Sequence, residues 1–137
     1  IHAWYLPATD PSADVVLVSH GNGGNLTHRG KRILDLHAHL GTGVMIYDYP
    51  GYGRSGGSPS ESGCYAAGDA ALAWLESRGI PNERVVLKGE SLGGGVAVDL
   101  ASRHPHAALV LQATFTSLPA AAKSHYPWLP CDMLMTN

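Results

Sequence analysis

The chain has 137 residues, 45% of them hydrophobic and 15% charged, with a formal net charge of -2. That is the size of one domain with enough apolar content to fill a core, which excludes a disordered tail and a pair of ordinary domains. Nine basic residues against eleven acidic ones, without a Lys/Arg cluster, exclude a nucleic-acid surface, and the aliphatic runs are far too short to span a bilayer.

In chain order, AWYL at 3–6 reads as a short strand running into Pro7, and VVLVSH at 15–20 as a buried strand entered from the turn-like DPSAD. Asn25 can cap a helix through Leu40, with Leu26, Ile33, Leu36 and Leu40 on one face and Gly41 as its stop. VMIYDY at 44–49 is the next strand, stopped by PGYG. Ser60 can cap a second helix to about Arg78, packed through Ala67, Ala70, Ala71 and Trp74 and ended by Gly79. VVLKGE at 85–90 is a strand, a third helix runs from about Ser91 to Arg103 before Pro105, and AALVLQ at 107–112 is the last strand. The four clear strands are apolar rather than alternating, which predicts cover on both faces. Strand and helix alternating in this way predict one α/β domain over 1–137, three-layered (αβα), with a mostly parallel sheet of about five strands.

Cys64 and Cys131 are too far apart for a CxxC pair, so neither a disulfide scaffold nor a clustered-cysteine zinc site is expected. The pairs His37/His39 and His104/His106 are spaced by two, so on a helix neither pair shares a face, and HExxH is absent. No metal or organic cofactor is implied.

Two pentapeptides match GxSxG: GRSGG at 53–57 and GESLG at 89–93. Ser55 lies in a Gly-rich loop. Ser91 directly follows an apolar strand and opens a helix, the strand–turn–helix context a nucleophilic serine needs, with flanking glycines because a Cβ would clash at so tight a bend. Gly94 and Gly95 are expected to let that helix pack closely on the sheet. HGNGGN at 20–25 ends the strand at 15–20 and can turn backbone N–H groups toward one point, which suits a developing oxyanion. The donors read from this arrangement are the N–H groups of Asn22 and of Leu92, the residue after Ser91.

HGNGGN, YDYPGYGRSGGSPSE at 47–61, KGESLGGGVAVDLA at 88–101 and ATFTSL at 113–118 together resemble the α/β-hydrolase superfamily, most nearly its single-domain, esterase- or lipase-like serine hydrolases. The resemblance implies Ser91 as nucleophile, Asn22 and Leu92 as oxyanion-hole residues, and an acyl pocket bordered by Gly21, Tyr52 and the Thr114–Phe115 stretch. It also implies the chain order nucleophile, acid, histidine, on strands following the one at 107–112. The chain would then match roughly the second through sixth of eight strands, a truncated α/β-hydrolase fold. His125 and Asp132 are the only histidine and acid after the last strand, in a segment expected to precede those carrying the triad partners. His20 is read as orienting the oxyanion loop, Asp48 as a turn-stabilising acceptor, and Glu90 as pointing to the opposite side of its strand from Ser91.

The function expected is hydrolysis of small carboxylic esters through an acyl-enzyme, with the isolated chain inactive or weakly active. The alternative is a non-catalytic, hydrolase-derived binding or assembly module. A further expectation is a homodimer paired along the edge of strand 107–112.

Overall fold

The computed structural model describes residues 1–114, with strands at Ala3–Leu6 (β1), Val15–Ser19 (β2), Gly43–Tyr47 (β3), Val85–Glu90 (β4) and Ala108–Gln112 (β5). Helices span Gly30–Leu40 (α1), Glu61–Ser77 (α2) and Leu92–Arg103 (α3), with 3-10 turns at Leu26–Arg29 and Asn82–Arg84. The strands form one sheet in the order β1-β3-β2-β4-β5, with β1 antiparallel to β3 and the other pairs parallel. This is the mostly parallel five-stranded α/β architecture expected from the sequence.

β2 and β3 are buried along their whole length. Successive residues face opposite sides of a strand, so one run of valines and leucines feeds two cores. Val15, Leu17, Met45 and Tyr47 pack with Cys64, Ala71 and Leu75 of α2 and with Val96 and Leu100 of α3. Val16, Val18, Val44 and Ile46 pack on the other face with Leu26 and with Ile33 of α1. Each such aliphatic side chain removed from water contributes about 1.5–3 kcal/mol.

The helix boundaries follow the polar residues read from the sequence. The Asn25 side chain accepts the Thr27 N–H at 3.0 Å, while the Asn25 N–H donates to His28 Nδ1 at 3.2 Å, so the first turn is capped reciprocally and forms as 3-10 before α1 begins. Gly41, left-handed at φ 66°, ends α1. Ser60 Oγ accepts the Gly63 N–H at 3.0 Å and starts α2.

Three expectations need correction. Leu40 is not part of the packed face: it is 57% exposed, at the last residue of α1 where the chain turns away. On α2 the buried stripe is Cys64, Ala67, Gly68, Ala71, Leu72 and Leu75, and Ala70 falls on the outer face because 100° per residue carries it past that stripe. Among the described residues β5 lacks cover on both faces: its strand neighbour is β4, and Leu109, Val110 and Leu111 are 37–45% exposed.

Cys64 sits in the α2 layer, where burial pushes its thiol above the usual range. Cys131 lies outside the described residues. Among the described residues no helix is long and apolar enough to cross a membrane.

β2 lies between β3 and β4, so the chain steps one way from β2 into β3 and then back past β2, the other way, into β4. In open α/β sheets such a reversal leaves a crevice beyond the carboxyl ends of the strands. The segments following β2, β3 and β4, which begin at His20, Asp48 and Ser91, all open onto that rim.

Candidate active site

Ser91 is the single residue between β4 and α3, at φ 51° and ψ -116°. A side chain at such a positive φ costs about 1–3 kcal/mol and persists only where the surroundings over-determine it. Here the Ser91 N–H donates to the Gln112 carbonyl of β5 at 3.0 Å, and the Ser91 carbonyl accepts the Gly94 N–H at 2.8 Å. The Thr114 hydroxyl also points at that carbonyl, at 3.4 Å. A Cβ on Gly89 would lie 2.5 Å from the Gly93 carbonyl oxygen, and one on Gly93 would overlap the Ser19 carbonyl of β2. Both positions flanking Ser91 are therefore confined to glycine by backbone. A Cβ on Gly94 would overlap Thr114, whereas one on Gly95 would meet open space, so the close packing expected of both glycines holds for Gly94 only.

The loop after β2 closes on this turn. A Cβ on Gly21 would sit 3.3 Å from Ser91 Cβ and 3.4 Å from the Glu90 carbonyl oxygen, so the Gly21 backbone lies directly against the serine. The next residue, Asn22, is exposed. Leu92 is the first residue of α3, where the N–H groups lack intrahelical partners and the helix dipole favours negative charge. Among the described residues, neither the Asn22 N–H nor the Leu92 N–H donates to an acceptor, and Ser91 Oγ has no hydrogen-bond partner.

Behind the loop lies a buried polar cluster. His20 and Asp48 are both fully enclosed, with His20 Nε2 3.1 Å from Asp48 Oδ1. The same carboxylate oxygen accepts the Leu26 N–H at 2.8 Å. His20 Nδ1 lies 2.8 Å from the Gly21 carbonyl oxygen. Both imidazole nitrogens thus face oxygen atoms of Asp48 and Gly21 rather than Ser91 Oγ. The roles read for His20, as a loop-orienting side chain, and for Asp48, as a turn acceptor, match these contacts.

Tyrosines complete the cluster. The Tyr49 hydroxyl donates to the His20 carbonyl at 2.7 Å, and its ring centroid lies 4.8 Å from that of His20. The Tyr52 hydroxyl donates to Asn22 Oδ1, tying the loop after β3 to the loop after β2. Burial pushes both hydroxyls above the usual tyrosine range, so both stay protonated donors at neutral pH.

Of the residues singled out in the sequence, Ser91, Leu92, Gly21, Asn22 and Tyr52 come together on one rim. Phe115, His125 and Asp132 lie outside the described residues. Ser55 is stitched into structure instead: its hydroxyl donates to the Asp48 carbonyl at 2.8 Å and accepts the His2 N–H at 2.9 Å. His28, His37 and His39 bond backbone groups of their own helical segment and its exit, at 3.2, 2.8 and 2.6 Å. The Glu90 carboxylate pairs with Arg32 of α1 at 2.8 Å, on the opposite side of β4, as alternation predicts. Among the described residues no three His, Cys, Asp or Glu side chains gather as a metal-ligand set. Sequence reading missed the Tyr49 bond, the Thr114 contact and Arg29, whose Nη1 donates to the Gly23 carbonyl at 2.5 Å. The alternation of Tyr47 and Tyr49 at the end of β3 was the available signal for the first; a hydroxyl's partner across the sheet has none.

A family model described as alpha/beta hydrolase fold matches residues 14–132. An uncharacterized protein of Mycobacterium tuberculosis is 45% identical over 136 residues, covering 98% of this chain and 48% of the relative. Alpha/beta hydrolase domain-containing protein aho-3 of Caenorhabditis elegans is 45% identical over 103 residues, covering 74% of this chain and 31% of that protein. The chain therefore spans less than half the length of these relatives. A crystal structure of an alpha-beta hydrolase from Vibrio vulnificus superposes with a TM-score of 0.72 at 28% identity, covering 81% of this chain and 42% of that one.

Proposed function

The chain belongs to the alpha/beta hydrolase fold family, and from that premise we propose that it carries the nucleophile and oxyanion hole of a serine hydrolase acting on small carboxylic esters. The observation that supports this most is Ser91 itself: a positive-φ serine between strand and helix, with Gly21 backbone against it. In this reading Ser91 Oγ attacks the acyl carbonyl carbon while a histidine removes its proton. The N–H groups of Asn22 and Leu92 hold the tetrahedral oxyanion. Collapse expels the alcohol, which takes the proton back from the histidine, and water then releases the acid from the acyl-enzyme by the same route. Gly21, Tyr52 and Phe115 border the acyl group. In this reading the histidine and its acid come from sequence outside the described residues, since His20 faces Asp48 and the Gly21 carbonyl and no described histidine hydrogen-bonds Ser91. No metal or organic cofactor takes part in these steps.

A fluorophosphonate probe applied to the protein at its natural length tests the assignment. The adduct maps to Ser91, and Ser91→Ala lowers kcat for an activated ester by about 10³-fold or more. An adduct on Ser55 overturns both the nucleophile and the oxyanion hole. The isolated 137-residue chain turns over at about a thousandth of the complete rate or less, because an unassisted serine hydroxyl is a weak nucleophile.

The second reading, a non-catalytic module, is favoured by the absence among the described residues of any base at Ser91 Oγ. No labelling and no turnover at natural length decides for it.

We also propose that the isolated chain pairs with itself along β5, whose exposed Leu109, Val110 and Leu111 flank a sheet edge that another strand can extend. Sedimentation at tens of micromolar gives a dimer, and Leu109→Lys a monomer. A wild-type monomer under those conditions removes the proposal.

A further inference from the structure

We propose, resting on the reading of Ser91 and Asn22 above, that Tyr52 is a positioning residue for the oxyanion donor: its hydroxyl clamps the Asn22 side chain and so fixes the direction of the Asn22 N–H before substrate arrives. The loop needs such a device. Asn22 is exposed and flanked by Gly21, Gly23 and Gly24, which have no side chains to pack and a wide choice of backbone angles.

Two anchors hold the loop on either side of Asn22. His20 Nδ1, 2.8 Å from the Gly21 carbonyl, sets the plane of the Gly21–Asn22 peptide, and in a trans peptide the N–H points opposite to that carbonyl. Arg29 holds the Gly23 carbonyl. Between them the Asn22 side chain is tied by the Tyr52 hydroxyl alone among the described residues.

Tyr52 is built to hold still. Its N–H donates to the Tyr49 carbonyl at 2.9 Å, and its carbonyl accepts the Ser55 N–H at 2.8 Å. Its ring stands nearly perpendicular to Tyr49, with centroids 5.5 Å apart, and lies 5.9 Å from His20. The acceptor on Asn22 is a neutral amide, so the clamp adds no negative charge beside a developing oxyanion, as an aspartate here would. Preorganised donors are the largest common source of rate enhancement in acyl transfer, because they need no reorganisation when charge appears.

The test uses Tyr52→Phe, which removes only the hydroxyl, and Asn22→Ala, which keeps the N–H and removes the acceptor. In the protein at natural length each lowers kcat for a p-nitrophenyl ester about tenfold with KM little changed, a fraction of the 10²–10³-fold lost when a donor is deleted. The double variant loses no more than either single one. In the protein at natural length the Asn22 amide order parameter falls from a rigid value near 0.85 toward about 0.6 in Tyr52→Phe. Additive losses, a change in KM alone, or an unaltered order parameter overturns the clamp. Ser91→Ala, measured alongside, separates the failures. If it abolishes turnover while Tyr52→Phe retains full kcat, the clamp fails and the nucleophile stands. If it retains turnover, the reading beneath the clamp fails.

Discussion

Replacing Gly93 with alanine lowers the thermal midpoint of the chain by about 10 °C and disrupts the Ser91 turn, while Gly95→Ala, two residues along the same helix, leaves the midpoint unchanged or raises it slightly. Both glycines lie in the GGG run that opens α3, and only Gly93 belongs to the GESLG pentapeptide. At Gly93 an added methyl overlaps the backbone of Ser19 and comes within 2.7 Å of the His20 carbonyl oxygen, and none of these atoms is the end of a side chain that could rotate away. Either the start of α3 lifts or the end of β2 shifts, and each moves Ser91 relative to Gly21. Overpacking of this kind costs about 3 kcal/mol, which for a domain of this size is about 10 °C. At Gly95 the methyl meets open space, and alanine is favoured over glycine in a helix interior by about 1 kcal/mol. Circular-dichroism melts of the two variants decide the matter. Equal effects at both positions would mean that α3 does not bear closely on the end of β2.

That contrast also marks how far the sequence could be read. Strands of unbroken Val, Leu and Ile between capped helices point to a parallel sheet, because such strands are usually covered on both faces. Asn25, Ser60 and Gly41 announce their helix ends because capping chemistry is local. Ser91 was legible for the same reason: strand, serine and helix are contiguous. Burial over longer range was not. Ala70 and Leu40 carry the right chemistry for a core face, and only the phase of α2 and the end of α1 exclude them. β5 reads as a covered strand because its residues are apolar, yet cover comes from neighbours that no local pattern specifies. The cluster behind the loop after β2 was partly visible, since His20 and Asp48 each follow a strand directly. That Asp48 also anchors Leu26, and that Ser55 joins Asp48 to His2, depends on contacts across 22 and 53 positions, which a single sequence does not record.

Asp48→Ala is expected to be the costliest single change on the rim. Its carboxylate is buried, accepts the Leu26 N–H at 2.8 Å and faces His20 Nε2 at 3.1 Å, with His2 Nδ1 3.8 Å from its other oxygen. Truncation leaves a backbone donor and a buried imidazole without a partner, and removing one member of such a pair costs about 3–5 kcal/mol. Asp48→Asn keeps one oxygen for both the Leu26 N–H and His20 Nε2 and turns its amide toward His2, so it gives up the carboxylate charge alone, at a cost of about 1–3 kcal/mol. Asp35→Ala, which breaks an exposed pair with Lys31 on α1, shifts stability by less than about 1 kcal/mol. Urea unfolding of the three variants gives this order, with the slope of free energy against urea unchanged. The consequence for the site reaches beyond stability. Without Asp48 the His20 ring loses the partner that holds it against the Gly21 carbonyl, and the Asn22 N–H loses its direction. Labelling of Ser91 in Asp48→Ala at natural length therefore falls further than the folded fraction does, whereas Asp48→Asn, which keeps an oxygen facing His20, labels in step with its folded fraction. An Asp48→Ala variant that stays folded and labels at the wild-type rate would show that Asp48 holds the fold alone, and that the peptide plane before Asn22 is set by Arg29 and Tyr52 without it.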